Sequence, residues 1–269
     1  MLYFVATPIG NMGDITYRAV ETLKNADVIA CEDTRHSLAL LNRYDIKKEL
    51  IAYHKFNESK ETEKIIELVL SGKNVAVISD AGMPVISDPG NVLTKTLAEK
   101  DIPFTVIPGA NAALSALVLS GLSAENFTFI GFLPDKQKDK DNVVKRYENA
   151  PSTLIFYVAP HDVSGVLTYL NGKFCGRKAA LIKEISKIHE TVYRFTFGDG
   201  FTLDNPKGEF VLVVEGQKEV KSEFDDLPID KHIKMYLDEG LSKKEAIKKV
   251  ALDRGVSKNS LYKYTIDID

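Results

Sequence analysis

Short apolar runs punctuate the first 107 residues at Tyr3–Ala6, Val28–Cys31, Leu50–Tyr53, Val75–Ser79 and Phe104–Ile107. Between them lie amphipathic stretches long enough for helices, at Thr16–Asn25, Thr34–Tyr44, Ser59–Leu70, Pro89–Lys100 and Asn111–Ser120. Strands separated by helices are expected to lie side by side in a largely parallel sheet, with the helices as crossovers. Thr16, Thr34 and Ser59 stand where helix N-caps are wanted.

A break at Gly121–Asn126 precedes a different pattern. Phe127–Phe132 is apolar, and the charged run Asp135–Asp141 is expected to be a solvated loop. Strands follow at Ser152–Tyr157, Lys178–Lys183, Glu190–Thr196 and Glu209–Val214, with a helix at His161–Leu170. The closeness of Lys178–Lys183 and Glu190–Thr196 predicts antiparallel pairing. Polar Lys218–Pro228 reads as a linker, and the remainder as helices at Ile229–Glu239, Ser242–Arg254 and Lys258–Tyr264. Gly240 and Gly255 fall where helix ends favour glycine. The spacing of Ala246, Val250, Val256 and Leu261 resembles a helix-turn-helix unit. The expected organisation is therefore an α/β lobe over residues 1–120, a second α/β lobe with a mixed or antiparallel sheet over 121–220, and a helical tail over 225–269.

A formal net charge of −3 removes any global positive field, so a nucleic-acid surface would have to be local. Lys243, Lys244, Lys248, Lys249, Arg254, Lys258 and Lys263 make the tail locally basic, although Asp238, Glu239, Glu245 and Asp253 dilute that charge. They suit a grip on a phosphate backbone or a solvated helical face. Cys31 and Cys175 have neither CxxC nor histidine spacing; no metal site is expected, and both read as small buried residues in a reducing, cytoplasmic setting. No secretory signal opens the chain and no apolar run is long enough to span a bilayer, so no membrane partner is expected.

Chemistry is concentrated in the loops that leave the strands. Thr7-Pro8-Ile9-Gly10-Asn11 runs on to Asp14-Ile15-Thr16 and is glycine-rich, yet has neither GxGxxG spacing nor a Walker lysine. Ser79-Asp80-Ala81-Gly82-Met83-Pro84-Val85-Ile86-Ser87-Asp88-Pro89-Gly90 and Pro108-Gly109-Ala110-Asn111 are irregular in the same way. Several such loops at one edge of an α/β sheet predict a ligand crevice. Glu32-Asp33-Thr34-Arg35 and Lys183-Glu184-Ile185-Ser186-Lys187 add acids, bases and hydroxyls at strand ends.

Taken together, these motifs with Gly131-Phe132-Leu133-Pro134, Lys207-Gly208-Glu209 and Leu261-Tyr262-Lys263 closely resemble the ribosomal RNA small subunit methyltransferase I family over essentially the whole chain. That resemblance implies a two-lobed tetrapyrrole methylase fold (a class III methyltransferase), a homodimer, and 2′-O-methylation of a decoding-centre cytidine, C1402 of 16S rRNA, within the small subunit. It implies S-adenosylmethionine held by Gly82, Met83, Val85, Ile86, Pro108, Gly109, Asn111 and Ala112 from one lobe, and by Tyr157, Val158, Glu209 and Phe210 from the other. Since this cofactor has no phosphate, the failed phosphate templates are explained, and the Thr7–Thr16 loop is expected to shape the mouth where RNA enters. Orientation can supply much of the rate of a methyl transfer, and a base helps a weak hydroxyl nucleophile. The strand-end positions of Asp33 and Glu184 make them the expected bases, with Lys187 holding phosphate, and Arg35, Lys183, Lys243, Lys244, Lys248, Arg254, Lys258 and Lys263 the expected RNA contacts.

The chain departs from the family where Phe156-Tyr157-Val158 and His161-Asp162 replace Phe-Tyr-Glu and His-Arg, where Ala110 and Asn111 replace a proline and a small residue, and where Lys183-Glu184-Ile185-Ser186-Lys187 replaces Arg-Glu-Leu-Thr-Lys. The lost Glu and Arg imply an altered substrate contact, a relocated ion pair or reduced activity. Two other readings stay open: a tetrapyrrole-precursor methylase, for which the basic tail has no use, and a non-catalytic RNA- or DNA-binding module, which would bind no cofactor.

Overall fold

The computed structural model describes residues 1–204, 206–217, 224, 227–254, 256–261 and 264. They fall into two compact units, Met1–Gln217 and Lys218–Asp269.

In the first unit, β1 (Leu2–Val5), β2 (Val28–Cys31), β3 (Glu49–Ala52), β4 (Val75–Ile78) and β5 (Phe104–Ile107) pair in parallel in the order β3-β2-β4-β1-β5. The crossovers are α1 (Tyr17–Asn25), α2 (Thr34–Arg43), α3 (Glu58–Leu70) and α4 (Asn91–Glu99). Because strand side chains alternate, the apolar runs feed both faces. Phe4, Ala30 and Val77 point to one face with Ile65 of α3 and Leu93 of α4. Val5, Ile29 and Ile78 point to the other with Leu23 of α1 and Leu41 of α2. The chain thus leaves β1 and β4, which are neighbours, towards opposite faces, and a crevice opens at their carboxyl ends.

A second sheet has the order β6-β7-β10-β8-β9, from β6 (Phe127–Phe132), β7 (Thr153–Val158), β8 (Lys178–Lys183), β9 (Thr191–Thr196) and β10 (Phe210–Val214). β6 and β7 are parallel, and the remaining pairs, including β8 with β9, are antiparallel. One face packs on α6 (Gln137–Tyr147) and α7 (Val163–Asn171). The other receives α5 (Ala112–Ser120), whose Ala113, Ala116 and Leu117 meet Ile155, Ile182 and Val211. Arg194 of β9 ties that helix down, donating from Nη2 to the Leu119 carbonyl at 2.5 Å and from Nε to that of Ser120 at 3.1 Å.

Several expectations need correction. The Asp135–Asp141 run is not a loop, because most of it forms the first turns of α6. That helix is rich in charge and buries only Val144 fully, so its sequence reads as solvated; Tyr169 Oη anchors it by donating to Asp141 Oδ1 at 2.8 Å. Thr16 caps α1 as expected, but Asp33 rather than Thr34 caps α2, accepting the Arg35 N–H at 2.8 Å. α3 begins at Glu58, one residue before Ser59, and the Asn57 side chain accepts the His54 N–H instead of capping the helix. Cys31 is buried, whereas Cys175 is exposed.

Arg177 is 5% exposed, lies 4.4 Å over the Phe174 ring, and donates from Nε to the Glu215 carbonyl at 2.5 Å and from Nη1 to the Glu148 carbonyl at 3.2 Å. Burial drops its pKa to about 10, against the pull of Glu215. Arg177→Met should therefore strand two carbonyls and lower the unfolding free energy by about 2–4 kcal/mol, measurable by urea titration; an unchanged midpoint would dismiss this role.

The second unit contains α8 (Ile229–Asp238), α9 (Lys243–Asp253) and α10 (Lys258–Leu261) around Ile233, Tyr236, Ile247, Val250 and Leu261. Ser242 and Glu245 form a capping box at α9, and Gly240 has φ +90 beyond α8. Of the four positions with helix-turn-helix-like spacing, Ala246, Val250 and Leu261 are buried and Val256 is exposed. Arg254, expected at RNA, instead donates from Nε to Nδ1 of the fully buried His232 at 3.0 Å and from Nη2 to the Leu227 carbonyl. Lys249 lies 4.5 Å over the Tyr236 ring. Gly255, Tyr262, Lys263 and much of the expected linker lie outside the described residues. No described helix is long and apolar enough to cross a membrane.

Candidate active site

The crevice at β1 and β4 is closed beneath by a short bridge: Thr7 N–H donates to the Gly82 carbonyl at 2.8 Å, and Gly82 N–H to that of Thr7 at 3.2 Å. Gly82 has φ +79, a conformation that side chains resist. Above this bridge the ends of β7, β8 and β10 approach, and two cavities adjoin.

The larger, about 340 Å³, is lined by Gly82, Met83, Ile86, Ser87 and Asp88 from the loop after β4, and by Asn111 and Ala112 at the start of α5. Tyr157–Pro160, Glu209–Val211, Phe132 and Ile185 complete it. Of the residues expected at cofactor, Gly82, Met83, Ile86, Asn111, Ala112, Tyr157, Val158, Glu209 and Phe210 are brought together here. Val85, Pro108 and Gly109 are not on its wall. Val85, at φ +77, packs instead with the core under α3 and α4. Gly109 presses on Ala6, just beyond β1, where an added Cβ would come within 2.9 Å of Ala6 Cβ.

Ser87, Asp88, Ala159, Pro160 and Ile185 line the cavity without having been expected there. The Asp88-Pro89-Gly90 turn was the available signal. Burial, and next the Glu32 carboxylate, push Asp88 up to about 6, against a hydrogen bond with Ser79 and with a further push from Asp80. A carboxyl raised on folding contributes stability below its unfolded value, near 3.8, and that stability is lost as pH rises through about 6. Asp88→Asn should thus gain stability relative to the parent between pH 4.5 and pH 7.5. Paired urea titrations at those values test this, and an equal difference at both would refute it.

The smaller cavity, about 230 Å³, lies under the loop after β1. Thr7–Gly10, Met12, His36, Ser37, Leu40, Ser79 and Lys187 line it, and it shares Ile9, Asp80, Ala81 and Glu209 with the larger one. Asp80 Oδ1 accepts the Asp33 N–H at 3.2 Å. Lys187 Nζ bridges Glu184 Oε1 at 3.0 Å and Glu209 Oε2 at 2.9 Å, while the Glu209 N–H donates to Glu184 Oε1 at 2.8 Å. Burial would raise the Glu184 carboxyl, but the Glu209 N–H and Lys187 outweigh it and hold the group low. Burial would likewise lower the Lys187 ammonium, but Glu209 and Glu184 hold it high. Glu184 and Ser186 sit at φ +53 and +63, a strained loop of the kind that clusters at functional sites.

Asp33 is elsewhere. It caps α2, pairs with the exposed Arg35 at 3.1 Å and lines neither cavity. The Arg35 side chain, and then its N–H, hold the Asp33 carboxylate below its usual range. Lys183 ends β8 opposite Thr191 and likewise lines neither cavity. Lys243, Lys244, Lys248 and Lys258 belong to the separate helical unit. Among the described residues, no group of His, Cys, Asp and Glu could hold a metal ion.

Residues 1–199 match the family model described as Tetrapyrrole (Corrin/Porphyrin) Methylases. The chain is similar to the protein named ribosomal RNA small subunit methyltransferase I of Halalkalibacterium halodurans, at 42% identity over 268 residues, covering 97% of this chain and 93% of that one. Its counterpart of the same name in Bacillus subtilis is 41% identical over 270 residues, covering 97% and 92%. Among solved structures, diphthine synthase superposes with a TM-score of 0.65 at 16% identity, over 80% of this chain and 89% of that one. A Thermus thermophilus uroporphyrin-III C-methyltransferase complexed with S-adenyl homocysteine superposes with a TM-score of 0.54 at 17% identity, over 80% and 96%. These structural likenesses bear on the fold alone.

Proposed function

The chain belongs to the ribosomal RNA small subunit methyltransferase I family, on the tetrapyrrole methylase fold, and from that premise we propose that it methylates 16S rRNA with S-adenosylmethionine. The proposed acceptor is the ribose 2′-hydroxyl of the decoding-centre cytidine, C1402, within the small subunit in the cytoplasm.

The observation that carries this reading is the pair of adjoining cavities. Among the described residues, the larger is bordered by Asp80, Asp88 and Glu209 and by no lysine, arginine or histidine. Such a wall suits a cationic nucleoside and repels a phosphorylated one, and Phe132, Met83, Ile86 and Tyr157 offer apolar surface to the remainder. When bound, S-adenosylmethionine supplies an electrophilic methyl group. The residues of this chain orient the acceptor and receive its proton. Glu184 is neutralised by Lys187 and Asp33 faces Arg35, so neither is our preferred base. We assign proton acceptance to Asp80, which borders both cavities, and the positioning of the 183–187 loop to the Glu184–Lys187–Glu209 cluster. The helical unit, with Lys244, Lys248 and Lys258, is our proposed grip on the RNA backbone.

The expected homodimer is supported by exposed apolar side chains on β5 (Phe104, Val106) and α5 (Leu114, Val118). Incubation with labelled S-adenosylmethionine and small subunits from a strain lacking this activity should label that cytidine ribose, whereas label absent from the RNA would defeat the proposal. Ala112→Trp should fill the larger cavity and weaken cofactor binding about 30-fold, or about 2 kcal/mol, by calorimetry; unchanged affinity would move the cofactor elsewhere.

A further inference from the structure

Phe56 stands almost wholly in solvent, 95% exposed, and its place is fixed. Lys55 and Phe56 are the central residues of a turn that follows β3, closed by the Asn57 N–H donating to the His54 carbonyl at 3.0 Å. The Asn57 side chain pins the turn twice more: Oδ1 accepts the His54 N–H at 2.8 Å, and Nδ2 donates to the Ala52 carbonyl at 2.8 Å. The His54 ring meets the Phe56 ring edge-on, with centroids 6.1 Å apart. A phenyl ring held in water forgoes the stabilisation that burial would bring, so an aromatic presented on a braced turn points to a partner that covers it.

Because the sheet is parallel, this turn leaves the same edge at which the two cavities open. β3 is two strands from β4 in the order β3-β2-β4, about 10 Å away. β2 lies between them, and α2, which follows it, contributes His36 to the wall of the smaller cavity. The turn is also tied to the loop after β4. It runs directly into Glu58, whose Oε1 accepts the Gly90 N–H at 2.8 Å and the Val92 N–H at 2.9 Å, just past Ser87 and Asp88 of the larger cavity. Lys55 precedes the ring and Lys60 lies in the first turn of α3; both are exposed, and neither forms an ion pair among the described residues. An open aromatic face with ammonium groups beside it is the chemistry that takes single-stranded RNA, where the face stacks a base and the charge meets phosphate.

We propose that the 54–57 turn is a docking post for the single-stranded RNA that flanks the acceptor, with Phe56 stacked on one unpaired base and Lys55 and Lys60 against its phosphates. This deepens the proposed function and rests on it, and it puts an RNA contact outside both cavities and outside the helical unit. Stacking tolerates any base, so the post supplies affinity and register rather than sequence choice. The bracing by Asn57 matters for the same reason: a turn already fixed before RNA arrives loses little freedom on binding.

The test is photocrosslinking with binding measured beside it. The full chain with Phe56→p-benzoylphenylalanine, irradiated with small subunits, should crosslink to 16S rRNA. Phe56→Ala should weaken small-subunit binding about tenfold and Phe56→Trp should keep it, while calorimetric cofactor affinity stays within about twofold in both. Lys55→Ala should weaken binding and reduce the slope of log affinity against log salt by about one. Both positions are exposed, so these changes leave the fold alone. If the parent labels small subunits but the crosslink falls only on ribosomal protein, or none forms, or Phe56→Ala binds as the parent does, the RNA post is overturned. If the parent labels no RNA at all, it is the proposed function that fails, and the post falls with it.

Discussion

Asp80→Asn is expected to slow methyl transfer to small subunits by about 10²–10⁴-fold, the usual contribution of a positioned base. The reason is placement. Asp80 borders both cavities and is oriented by the Asp33 N–H at 3.2 Å, so a hydroxyl at the junction can reach its carboxylate. Asparagine keeps the volume and can still accept that N–H bond, so fold and cofactor affinity should change little. Asp33→Asn, beside Arg35 and outside both cavities, should retain close to the parent rate. Single-turnover transfer by the two variants, with cofactor affinity measured beside it, separates the two roles. A full rate in Asp80→Asn would remove Asp80 from the chemistry.

The second large effect is expected from a residue that touches no substrate. Gly208 has φ +97, and a Cβ there would lie 2.4 Å from Glu184 Oε1. That oxygen accepts both Lys187 Nζ and the Glu209 N–H. Gly208→Ala must expel the Glu184 carboxylate, leaving the Lys187 ammonium with Glu209 alone and shifting the wall both cavities share. Backbone strain and one lost charge-assisted contact together cost about 2–4 kcal/mol. A displacement of about 1 Å at a reacting centre costs about 10²-fold in rate. Thermal unfolding and single-turnover transfer should therefore both report the change, and a parent-like rate would show that the cluster does not position the site.

Much of this was legible in the chain. Tyr3–Ala6 and Val75–Ser79 are continuous apolar runs because their strands are covered on both faces, and such runs mark buried parallel strands without any tertiary information. The loops after them, marked out by their glycines and prolines, line the two cavities. What was not legible follows from its physics. Helix α6 is nearly all polar, and a charged run reads as a solvated loop. Whether Asp33 or Thr34 caps α2 turns on one residue's backbone angles, and Arg254, basic and near the chain end, gives no hint that it closes over His232.

By itself the sequence determined the alternation of elements, hence the parallel sheet, the edge at which the cavities open, and the family. Those properties depend on local periodicity and on motifs a few residues long. Tertiary structure alone decided which charged groups are available for chemistry. Glu184 and Lys187 neutralise each other, and Asp80 falls at the junction of two cavities. The reason is that charge and hydrogen-bond capacity are set by neighbours brought together from distant segments: residues 80 and 209 line one cavity, and residue 10 packs at 187.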